Sequence, residues 1–153
     1  MSKKDYNSSD LLEPGLDLCA HANLRQATRV ISQHYDAALK PSGIKATQFT
    51  LLAILAHRGG MPLTKLAALL VMDRTTASRN VQPLVKKGWL SIGRETDERV
   101  RLVSLTEAGH ALVNEATPLW REAQLSIVSK MGAAKLPELI ADLNSLVKGI
   151  QSE

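Results

Sequence analysis

The stretch LTKLAALLVMDRTTASRNVQPLVKKGWLSIGRETDERVRLVSLT, Leu63 to Thr106, decides the fold. In its first part Leu63, Leu66, Ala67 and Leu70 recur at helical spacing, with Pro62 at the entry, where a missing N–H costs little. Val71 and Met72 form a turn too short to lead anywhere but into another helix. Asp73 stands where its carboxylate can accept from that helix's first free amides. A helix-turn-helix is the economical solution. On the second helix Thr75, Thr76, Arg79 and Asn80 fall on one side, and Ala77, Val81, Leu84 and Val85 fall mostly on the other. The apolar side docks, and the polar side is left to face a groove.

Gly88 suits a left-handed stop to that helix, after which the period changes. Trp89 to Ile92 and Arg99 to Leu105 are predicted strands, with Gly93 to Glu98 as the polar tip between them. This hairpin is expected to act as a wing. The polar residues have chemistry suited to duplex DNA: arginine for guanine edges, asparagine for adenine, short hydroxyls for phosphate oxygens or the thymine methyl. Candidate DNA contacts are therefore Arg74, Thr75, Thr76, Ser78, Arg79 and Asn80 on the helix and Arg94, Arg99 and Arg101 on the wing. Asp97 is expected to support an extended Arg99 guanidinium suited to the minor groove. Lys86 and Lys87 serve either as phosphate contacts or as charges matched to the helix C-terminus.

Charge agrees with this. The chain has 19 Lys and Arg against 15 Asp and Glu. Between Arg74 and Arg101 lie seven basic and three acidic residues, so the remainder of the chain holds twelve of each and cancels. A basic surplus confined to one segment is what a phosphate-binding surface needs.

The run VMDRTTASRN followed by PLVKKGWL, then a Gly–Arg tip, D-x-R at Asp97 to Arg99, and VSLTEAG closely resembles the winged helix-turn-helix of the MarR family, the multiple-antibiotic-resistance-type transcriptional regulators. NLRQATRVISQHYDAAL and GIKATQFTLLAIL are similar to that family's first two helices, so the resemblance covers roughly residues 16 to 150.

Working outward, residues 1–15 are polar, end in Pro14-Gly15, and are expected to form a mobile N-terminal arm. A long first helix is predicted over about 16–40, with Ala20, Leu24, Ala27, Ile31, Tyr35 and Ala38 along one face, ended by Pro41-Ser42-Gly43. Thr47 is the expected cap of a second helix, Gln48 to His57. Beyond the wing Thr106 caps a helix to about Lys130, and a last helix spans about Lys135 to Gly149. Pro83 and Pro118 sit inside two of these helices and predict either bends or shorter helices.

The expected fold is thus mainly α with a small β-hairpin wing. It is one domain over 16–150, with the winged helix-turn-helix at about 44–106 and helical dimerisation regions at about 16–40 and 106–150. The first, fifth and sixth helices carry more apolar face than one small module covers, which points to an isologous homodimer. The resemblance implies the same. It further implies a dimer on a pseudo-palindromic operator with half-sites about one turn, on the order of 10 bp, apart, and a repressor released by a small-molecule effector. In relatives the effector site lies between the dimer helices and the reader, where His21, Arg25, Phe49 and Trp120 are candidates.

Other classes fare less well. No apolar run approaches the ~20 residues needed to span a bilayer, and MSKKDYNSSD is too polar for a signal peptide. A cytoplasmic protein is expected. Cys19, the lone cysteine, cannot make an internal disulfide; it is expected to be buried and structural, with a thiol-switched regulator as the alternative. His21, His34, His57 and His110 have no metal-ligand spacing. No nucleophile triad, phosphate-cradling loop or carboxylate pair is evident, so neither an enzyme nor a cofactor is expected. A protein-interaction module that keeps the fold without reading DNA is a further alternative.

Overall fold

The computed structural model describes residues 18–94 and 101–152. The expected arm lies outside the described residues, as do residues 16 and 17 of the expected first helix, Asp97 and Arg99. The elements are α1 (Ala20–Leu39), α2 (Ala46–Arg58), β1 (Met61–Pro62), α3 (Leu63–Leu69), α4 (Arg74–Lys86), β2 (Leu90–Arg94), β3 (Arg101–Leu105), α5 (Glu107–Met131) and α6 (Lys135–Gln151). The protein is mainly helical with a small antiparallel sheet, as the sequence predicts.

The expected stop of α1 is a single 3-10 turn, Lys40–Ser42, closed by Gly43 at φ 72°. The start of α2 differs from expectation. Lys45, not Thr47, is its N-cap. Two carboxamide or carboxylate oxygens satisfy the free amides there: Asp36 Oδ1, on α1, accepts from Ala46 N at 2.7 Å, and Gln48 Oε1 accepts from Lys45 N at 3.1 Å. An acceptor ten residues back along the chain leaves no signature in a local capping pattern, so the local sequence favours Thr47 as the cap.

The wing carries an unexpected third strand. Met61 pairs with Val103 and Pro62 with Leu102, giving the order β1-β3-β2. Proline tolerates this place because β1 lies at the sheet edge. Between β2 and β3 the register runs from Leu90 opposite Leu105 to Arg94 opposite Arg101.

Leu39, Leu52, Leu55, Leu66, Val81, Leu84 and Val103 are the fully buried centre, drawn from α1 to α4 and the sheet. Leu112, Val113 and Ala116 of α5 extend it. The core thus clamps α3, α4 and the wing strands into one block. α4 and α5 each continue through their prolines, and both Pro83 and Pro118 are exposed. A ring on the outer face replaces a backbone donor without disturbing the packed side.

α1 lies along α5, tied by His34 Nε2 to the Ala123 carbonyl at 3.2 Å and by the Tyr35 hydroxyl, which donates to Gln124 Oε1. Burial holds the Tyr35 phenol above its ordinary pKa. α6 packs against α5, yet none of its residues is buried.

Candidate nucleic-acid interface

The interface is built around the start of α4. Asp73 is its N-cap: one carboxylate oxygen accepts from Thr76 N at 2.9 Å and the other from the Thr76 hydroxyl at 2.6 Å. The hydroxyl and then the amide of Thr76 hold the Asp73 carboxyl below its ordinary range. A charged cap fixes where the helix begins and therefore which residues face outward.

Ala77, Val81 and Leu84 are buried, whereas Arg74, Thr75, Arg79 and Asn80 are exposed. Ser78 is half-buried. Thr76 is drawn into the cap, so its hydroxyl proton already has a partner and only its lone pairs remain to be offered outward. Asn80 is held as well: its Nδ2 donates to Met72 Sδ at 3.3 Å. In the sequence Met72 is legible only as part of a turn, because no local pattern marks a thioether as a partner for a side chain two helical turns away.

That turn is unusual. Val71 has φ 53°, a left-handed conformation that β-branched residues rarely adopt, and Met72 N donates to the Ala67 carbonyl at 2.9 Å. Gly88 takes the left-handed stop expected of it, at φ 74°.

Past α4, Lys87 Nζ lies 4.4 Å from the Trp89 ring centroid, a cation–π contact that anchors this lysine beside the root of the wing. Lys86 is exposed in the last turn of α4. Arg101 is exposed, and its backbone pairs with that of Arg94. Thr106 locks the wing to α5. Its hydroxyl donates to the Gly88 carbonyl at 2.6 Å and accepts from Gly109 N at 3.0 Å, while its amide donates to the Trp89 carbonyl at 3.1 Å.

The four candidate effector residues are not brought together in the single chain. Phe49 and Trp120 stack with ring centroids 6.0 Å apart and wall a cavity of about 360 Å³ between α2 and α5, with His57 and Thr117 at its edge. His21 and Arg25 border a separate hollow along α1. Phe49 is also a core residue, 6% exposed. Cys19 corrects another expectation: it is exposed, at the N-cap of α1, because the packed length of α1 begins further along the helix. Among the described residues no helix is long and apolar enough to cross a membrane.

Comparison with known proteins gives a consistent family assignment. The family model described as MarR family matches residues 44–99. The transcriptional regulator MosR of M. tuberculosis is 30% identical in its crystal structure, with a TM-score of 0.76 over 88% of this chain and 99% of that one. A second MosR structure, in complex with DNA, is 32% identical, with a TM-score of 0.77 over 86% of this chain and 98% of that one. The HTH-type transcriptional regulator MhqR of Bacillus subtilis is 29% identical over 96 residues, which make up 62% of this chain and 66% of MhqR. These relatives are regulators rather than enzymes. With its helix-turn-helix, its wing and these likenesses, the chain belongs to the MarR family of winged helix-turn-helix transcriptional regulators.

Proposed function

We propose that the protein is a sequence-specific, double-stranded DNA-binding regulator. It works as a homodimer on a pseudo-palindromic operator, as a repressor released by a small-molecule effector. The observation that carries this is the division of α4, which turns Ala77, Val81 and Leu84 into the core and leaves Arg74, Thr75, Arg79 and Asn80 outside. The MosR–DNA complex supports it by likeness. In this role Arg79 and Asn80 read base edges, while Arg74, Thr75 and Ser78 position the helix on phosphates. Arg101, with Arg94 and Arg99, contributes charge from the wing.

Dimerisation is supported by apolar side chains with no cover in the single chain. Val30 on α1, Leu125 on α5 and Ile150 on α6 are 65%, 66% and 67% exposed. A helix such as α6, apolar along one side and buried nowhere, requires a further surface. The cavity beside Phe49 and Trp120 supports an effector: its volume and aromatic wall suit a small planar molecule. Such a molecule acts by binding the DNA-competent and incompetent shapes unequally.

The test is binding of a duplex selected from genomic fragments, against random duplex, over a salt series. A reader discriminates between the two, and a protein-interaction module does not. Arg79→Ala should weaken the selected complex by about 1–3 kcal/mol and relax sequence choice. Equal binding by this variant removes Arg79 from the reading surface. The exposure of Cys19 gives the thiol-switched alternative an accessible sulfur. Release of DNA by mild peroxide that is abolished in Cys19→Ser selects that alternative, and unchanged release rejects it.

A further inference from the structure

We propose that Met72 is a positioning residue for base discrimination: its thioether sets which way the Asn80 carboxamide faces, an assignment that rests on the DNA-reading role proposed above. Met72 lies in the turn between α3 and α4, half-buried and packed against the core. The left-handed Val71 before it and the Met72 N to Ala67 O bond fix its backbone. The side chain then reaches eight residues forward, where the sulfur accepts from Asn80 Nδ2 at 3.3 Å. Both residues also wall the cavity between α2 and α4.

The chemistry of the pair is one-directional. A thioether sulfur accepts but cannot donate, so it can hold the nitrogen of a carboxamide and not the oxygen. A primary amide has two N–H groups. When sulfur engages the N–H that points away from the oxygen, the N–H beside the oxygen and the oxygen itself remain, and that donor–acceptor pair is the edge that matches N7 and N6 of adenine. An asparagine free to turn half a revolution about its last bond presents the same two groups in the wrong order half the time. Sulfur is a weak acceptor, so Met72 is expected to bias this choice rather than lock it.

The test separates the pair from the DNA reading. In the free protein, the Asn80 side-chain NH₂ resonances, identified by their loss in Asn80→Ala, should move in Met72→Leu, a volume-conserving change that keeps the packing and removes the acceptor. On DNA, base-by-base substitution in the selected duplex should show discrimination at one base pair per half-site reduced about threefold in Met72→Leu, with affinity for random duplex unchanged. In an Asn80→Ala background Met72→Leu should have no further effect, which a purely structural role for Met72 would not produce. Unmoved NH₂ resonances, or undiminished discrimination, overturn the inference alone. A wild-type protein that fails to discriminate selected from random duplex overturns the DNA-reading role and this inference with it. A loss of discrimination that persists in the Asn80→Ala background assigns Met72 to packing and overturns the inference.

Discussion

Gly109→Ala sets two ordinary effects against each other, and the structure decides between them. Gly109 lies in the first turn of α5, where alanine is intrinsically favoured by up to about 1 kcal/mol. It is buried, however, and an ideal Cβ there would run into the Trp89 carbonyl oxygen and stand 2.8 Å from Leu105 Cδ2. That carbonyl cannot simply withdraw, because it accepts from Thr106 N at 3.1 Å. Thr106 in turn holds both Gly109 N and the Gly88 carbonyl. Relief of the clash therefore requires the wing root and α5 to separate, against an overpacking cost of about 1–3 kcal/mol. Because the clash falls on a backbone oxygen that is held in place, the cost belongs in the upper part of that range, about 2–3 kcal/mol, and the net expectation is a loss of about 1–2 kcal/mol, which for a chain of this length lowers Tm by roughly 2–8 °C. Thermal unfolding followed by circular dichroism, at one protein concentration because dimerisation shifts the midpoint, measures it. A variant as stable as the parent, or more so, refutes the claim that the wing root is clasped tightly against α5.

Two other substitutions probe the reader. The Asp73 carboxyl is held below its ordinary pKa by Thr76, so its contribution is complete above the ordinary carboxylate value and is lost as pH falls through the depressed one. The stability difference between the parent and Asp73→Ala should accordingly shrink on acidification; a difference that stays constant into acid removes the charged cap from the account. Val71 is 57% exposed and left-handed, a conformation asparagine tolerates better. Val71→Asn should raise stability by about 0.5–1 kcal/mol in a denaturant titration with unchanged slope, and a lower midpoint would show that the valine side chain has a packing role.

Much of this architecture is written in short windows of sequence. The alternation of Ala77, Val81 and Leu84 with Arg79 and Asn80, the Asp73 and Thr106 caps, the left-handed Gly88 and the change of period at Trp89 each depend on residues within a turn or two of one another. Local hydrogen bonds and the helical repeat suffice to define them. The family resemblance then supplied the order in which such pieces assemble.

What tertiary structure decided lies where the partner is distant or nonlocal in kind. Asp36 caps a helix ten residues away, Pro62 joins an edge strand opposite Leu102, and Met72 holds an asparagine two turns on. Cys19 lies beyond the packed length of α1, and His21 and Arg25 border a different hollow from Phe49 and Trp120. Periodicity specifies which side of a helix is apolar, whereas the neighbour that side meets is set by how the helices cross. Burial, cavities and long-range hydrogen bonds depend on that crossing, which only the packed chain determines.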